Sequence, residues 1–87
     1  MKSFLLLFLF TNSLLPVFSQ SNLLESAKNN PSEAKKICNK FRELNLKGKS
    51  ASSNEAIEYV SKKSNLNPFN AEIFSIYVIG LYCPEII

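Results

Sequence analysis

Apolar positions recur along this chain at helical spacing, separated by polar breaks. Ala34, Ile37, Cys38, Phe41 and Leu44 fall three and four residues apart, while Lys35, Lys36, Asn39, Arg42 and Glu43 occupy the other side. This predicts an amphipathic helix with Cys38 on its inner stripe. Its start is marked by Asn30-Pro31-Ser32-Glu33: Asn30 suits the cap, Pro31 the first helical position, and Glu33 can reach back to the cap's amide. Asn45 to Ser53 is polar and contains Gly48, which ends the helix and predicts an exposed connection.

A second capping box reads at Ser52-Ser53-Asn54-Glu55. It is followed by a narrow stripe of Ala56, Ile57 and Val60, with Tyr59 off its main line. Asn65-Leu66-Asn67-Pro68 stops this short helix and starts another, with Asn67 as cap and Pro68 as first residue. The last helix, from Pro68 to about Tyr82, is apolar on two sides. Phe69, Ile73, Ile76, Tyr77 and Gly80 form one face, and Phe74, Val78 and Leu81 a second beside it. Such a helix is expected to be central. A strand over Ile73 to Cys83 competes through its β-branched and aromatic residues, but the helix start at Asn67-Pro68 argues against it.

Upstream, Met1-Lys2-Ser3 precedes an unbroken apolar run from Phe4 to Phe10, and Val17-Phe18-Ser19 suits signal peptidase. The run is too short for a membrane span, which needs about 20 apolar residues. Residues 1–19 are therefore expected to be a signal peptide cleaved between Ser19 and Gln20, giving a secreted or periplasmic protein. Residues 20–30, polar apart from Leu23, Leu24 and Ala27, read as a flexible N-terminal arm or a short helix. Residues 31–87 form the expected helical domain. Loss of Lys2 leaves nine basic against seven acidic residues, a net charge of +2, which is no nucleic-acid signature.

Two cysteines in an exported chain are expected to form one disulfide, Cys38 to Cys83. A reactive redox pair is the alternative, against which stands the absence of Cys-x-x-Cys spacing. A bond closing a loop of this length is worth roughly 4 kcal/mol in the chain-entropy picture, a large share of the stability of so small a domain. Cys83→Ser is accordingly expected to leave the chain largely unfolded. The fold class is all-α, a three- to four-helix domain closed by one disulfide.

Ile37-Cys38, Leu44, Gly48, the Leu66-Asn67-Pro68 helix start, Ala71 and the ending Tyr82-Cys83-Pro84 together resemble domain of unknown function 732, a family of small exported bacterial proteins. The resemblance covers about Ala34 to Glu85 and implies a compact helical domain closed by this disulfide. It transfers no catalytic residues. The chain departs from that family in a longer, Lys-rich connection and a shorter N-terminal helix.

The chain contains no histidine, hence no ordinary general base near neutral pH and no imidazole ligand. No catalytic, metal or cofactor site is expected, and the protein is read as no enzyme. Gly48-Lys49-Ser50 mimics the end of a phosphate-binding loop, but Glu43 stands where that loop needs a glycine. Glu55 and Glu58, one turn apart, read as a solvated face. Lys35, Lys36, Lys40, Arg42, Lys47 and Lys49 form a basic cluster, serving solubility or docking on an anionic surface. Tyr59, Tyr77 and Tyr82 read as core, with a pocket lining as the alternative. Phe74, Val78 and Leu81 are expected to be incompletely covered and available for self-association. The leading reading is a structural or protein-interaction module with an unknown partner; a secreted membrane-active or anionic-surface effector is the alternative.

Overall fold

The computed structural model describes residues 22–87, which form four helices and no strand. The expected signal peptide and its cleavage site lie outside the described residues. Helix α1 covers 22–29, α2 Pro31–Leu46, α3 Asn54–Ser64 and α4 Pro68–Tyr82. The segment left open as arm or helix is thus helical from residue 22, and its Leu23 and Ala27 join the core.

The stripe of α2 buries as its spacing implies: Ala34, Ile37, Cys38, Phe41 and Leu44 are all inside. The helix ends in a Schellman arrangement. Gly48 takes φ +80°, the amide of Lys49 donates to Leu44 O (2.8 Å), and that of Gly48 donates to Asn45 O (3.0 Å). A side chain with a β-carbon would strain this backbone, which accounts for the glycine. The start of α2 differs from the expected box. Asn30 makes no side-chain cap; its amide instead donates to Ser26 O (2.8 Å) near the end of α1. Glu33 turns away to accept a bond from Ser64 Oγ (2.6 Å), tying the first turn of α2 to the end of α3. With α1 ending one residue earlier, its open carbonyls compete for the Asn30 amide and win.

At α3 the cap is Ser53, its hydroxyl accepting from the Ala56 amide (3.2 Å), while Glu55 pairs with Lys49 instead of closing a box. Asn65 closes α3 in the left-handed region (φ 56°), and the Leu66 amide returns to Ser61 O (2.9 Å). Asparagine tolerates this conformation better than most residues. Asn67 caps α4 as its sequence implies, Oδ1 accepting from the Asn70 amide (2.8 Å).

Helix α4 packs against both α2 and α3. Each helix contributes an alanine with essentially no exposure, Ala27, Ala34, Ala56 and Ala71, so the backbones approach closely around Phe41, Ile37, Leu44, Val60 and Val78. On α4 the inner face is Ala71, Phe74, Ser75 and Val78. The Ser75 hydroxyl donates to Ala71 O (2.8 Å), which satisfies, within its own helix, the one buried polar side chain among the described residues.

The Cys38–Cys83 disulfide is formed, with Cα atoms 6.1 Å apart across 45 residues of sequence. Beside it, the Tyr82 hydroxyl reaches Ala27 O (2.9 Å) and Lys28 O (3.2 Å), giving the final carbonyls of α1 a donor. Tyr82 is thus a strut between the first and last helices. Tyr82→Phe is expected to cost about 1 kcal/mol, the net worth of one such bond. It should show as faster amide exchange confined to residues 22–29; unchanged exchange there would refute the strut.

Candidate functional site

Helix α4 is apolar all round, so burying one side exposes another. Phe69 is 70% exposed, Ile76 62% and Leu81 46%. Phe69, Ile73, Ile76 and Gly80 follow one another at intervals of four, three and four residues, which places them in a single row opposite Ala71, Phe74 and Val78. Ile73 is half-buried and Gly80 exposed. A β-carbon built on Gly80 would meet no other atom within 4 Å, so this point of the row opens directly to solvent. Glu72 is the one charged residue in α4.

This corrects the expected patch. Phe74 and Val78 are core residues, 2% and 0% exposed, and only Leu81 of that trio reaches the surface. The outward row is most of the other apolar face, that of Phe69, Ile73, Ile76, Tyr77 and Gly80. Two features place Phe74 and Val78 inward: the small residues Ala71 and Ser75 on their side permit close helix approach, and the disulfide with Tyr82 fixes the end of the helix. Ala71 and Ser75 were the available signal, since small residues at spacing four mark the side on which backbones meet.

Beside the row lies a groove of about 190 Å³ lined mainly by Ala51, Ile76, Ile79 and Ile87, with Glu72 and Ser75 at its polar edge. Ile87 is held there by its backbone: its carbonyl accepts from the Ala51 amide (2.8 Å) and its amide donates to Asn45 Oδ1 (3.0 Å). Its side chain is 81% exposed and extends the apolar surface. An open polar cleft of about 480 Å³ lies elsewhere, between residues 29–33, Lys36 and Lys63.

Four of the six basic residues meet acidic partners. Arg42 pairs with Glu85 (2.9 Å) and holds Asn39 (3.0 Å); Lys49 pairs with Glu55 (2.6 Å); Lys47 and Lys40 both approach Glu43, at 3.5 and 3.9 Å. Lys40 also lies over the Tyr59 ring, 5.4 Å from its centre. Lys35 and Lys36 are exposed and make no ion pair among the described residues. Such exposed pairs add little stability, but Glu43, Glu55 and Glu85 offset three of the cluster's six positive charges.

The cysteines are joined and hold no free thiol. Among the described residues no three His, Cys, Asp or Glu side chains gather as metal ligands, and no helix is long and apolar enough to cross a membrane. Tyr59, Tyr77 and Tyr82 pack against the core at its margin, half-buried, as the spacing implies.

Residues 24–83 match the family described as domain of unknown function DUF8664. The chain belongs to this family. The match begins inside α1 and ends at Cys83, so DUF8664 spans all four helices and both ends of the disulfide. The expectation of an uncharacterised helical family holds at that level, with the match falling to DUF8664 rather than to domain of unknown function 732. No curated protein and no solved structure matches the chain.

Two carboxylates, Glu55 within the DUF8664 match and Glu85 just after it, carry lowered pKa values. Lys49 holds Glu55 below its ordinary 4.5 by hydrogen bond and then by charge. Glu85 is lowered by its own backbone amide and then by Arg42. A carboxyl whose pKa is lower folded than unfolded stabilises fully above the unfolded value, and this is lost as pH falls through the folded value. Thermal midpoints should therefore begin to drop below about pH 4.5, and drop less steeply in the Glu55→Gln/Glu85→Gln variant. Superimposable acid profiles would show that these pairs contribute nothing.

Proposed function

We propose that the chain is a small exported module that acts by binding a protein partner through the outer face of α4, without enzymatic activity. The observation that carries this reading is the solvent-facing row of Phe69 and Ile76 on a helix whose opposite side is fully packed. Large apolar side chains gathered on one exposed surface are the usual mark of a docking site. Export is supported by the basic start, the apolar run Phe4 to Phe10 and the Val17-Phe18-Ser19 ending, together with a disulfide that suits an oxidising compartment. Kinship with domain of unknown function 732 rests on the Tyr82-Cys83-Pro84 ending and the disulfide it carries. The absence of histidine and the pairing of both cysteines support a non-catalytic role, since the ordinary base and thiol nucleophile are lacking.

The alternative, an effector acting on anionic surfaces, draws on six basic residues of which Glu43, Glu55 and Glu85 engage four, leaving Lys35 and Lys36, which weakens it. An apolar-surface dye at about 1 µM protein, a concentration at which weak association is negligible, distinguishes the two readings. The oxidised protein should enhance dye fluorescence, and Phe69→Ser/Ile76→Ser should abolish the effect with helical circular dichroism intact. Absence of dye binding, with salt-reversible flotation on anionic vesicles, would overturn the proposal in favour of the effector.

A further inference from the structure

The outer face of α4 is complementary to itself. The spacing of Phe69, Ile73, Ile76 and Gly80 is that of alternating d and a positions over a short coiled-coil seam. Placed antiparallel about a two-fold axis midway between Ile73 and Ile76, two such helices bring the Phe69 of one copy over the Gly80 of the other, at both ends. In the middle, Ile73 of each meets Ile76 of its partner. The largest side chain in the row faces the position with none, and two equal side chains face each other. This is the large-against-small alternation that lets helices interdigitate, and a two-fold interface requires one surface to be its own complement.

From these features we infer that the protein forms a two-fold dimer through antiparallel pairing of α4. The inference rests on the docking role proposed for this face and assigns it a second copy as occupant. Charge agrees with that choice. Helix α4 has no basic residue and one acid, Glu72, so an anionic bilayer would meet a carboxylate and no cation. In the antiparallel register Glu72 lies beside Ile79 of the other copy, away from the second Glu72, and no like charges meet. Gly80 is sterically free within the monomer, so its openness is not needed for packing inside one chain. It becomes useful once a second helix arrives.

The seam is short. Fifteen residues of helix run about 22 Å, and a row of three side chains and a glycine buries well under the roughly 800 Å² per partner of a standard interface. The pair is therefore weak and transient, formed only at high protein concentration.

Sedimentation equilibrium on the oxidised protein, over a concentration range reaching a few hundred micromolar, tests the dimer. Wild type should pass from monomer to dimer. Gly80→Leu, whose β-carbon meets no atom of the monomer within 4 Å, should weaken the dimer about tenfold or more, and adding Phe69→Ala should recover most of the loss because the new side chain takes the vacated space. Dimerisation indifferent to Gly80→Leu, or no recovery in the double variant, would overturn the antiparallel register. A strict monomer at every concentration would overturn the self-pairing. In that case dye binding by the monomer would leave the docking role standing with another protein as occupant, and flotation on vesicles would transfer the face to a bilayer.

Discussion

The structure depends on the contact between the inner stripe of α2 and the end of α4, which the Cys38–Cys83 bond makes permanent. Cys38 sits between Ile37 and Phe41 on that stripe, and Cys83 follows directly after α4. The bond therefore lies inside the apolar interface it joins, with both cysteines buried. A chain of this size buries too little surface for hydrophobic association alone to give a wide margin of stability. Removing loop freedom from the unfolded state compensates, and does so without requiring a larger core.

Several polar contacts are possible only because that closure brings distant residues together. Tyr82, next to Cys83, reaches the end of α1 across 55 residues, and Glu85 meets Arg42 across 43. Ile87 is threaded between Asn45 and Ala51 by backbone bonds. Each is modest in energy. Together they set the rotation of α4 about its axis, and with it the choice of which apolar side faces water. The functional surface is thus a consequence of how the covalent and polar ties orient a helix that has no strong preference of its own.

That distinction explains what could be read from the chain. The buried stripe of α2 was legible in full because one side is charged and the other apolar, so periodicity alone assigns the faces. The caps at Asn67 and the glycine ending at Gly48 were legible because their chemistry is local. The faces of α4 were not, since residues of similar hydropathy surround it; expecting the Phe74, Val78 and Leu81 side to be the incompletely covered one left the exposed Phe69 and Ile76 unidentified. Ala71 and Ser75 carried the missing information through their size. The ion pairs of the basic cluster were hidden for a different reason. Arg42 and Lys49 find their acids across 43 residues and across a turn, separations that spacing along one helix does not reveal. Asn30 and Glu33 had the right identities for a capping box, but the carbonyls ending α1 and the hydroxyl of Ser64 engaged them first.

The central claim is that the Cys38–Cys83 closure holds α4 in the orientation that buries Phe74 and Val78. Denaturant unfolding of the oxidised protein beside its Cys38→Ala/Cys83→Ala variant tests this most directly. The account predicts a loss of roughly 4 kcal/mol, enough to leave the variant marginally folded or unfolded without denaturant. Equal midpoints and equal slopes for the two proteins would contradict it, since the packed interface would then hold α4 without the bond.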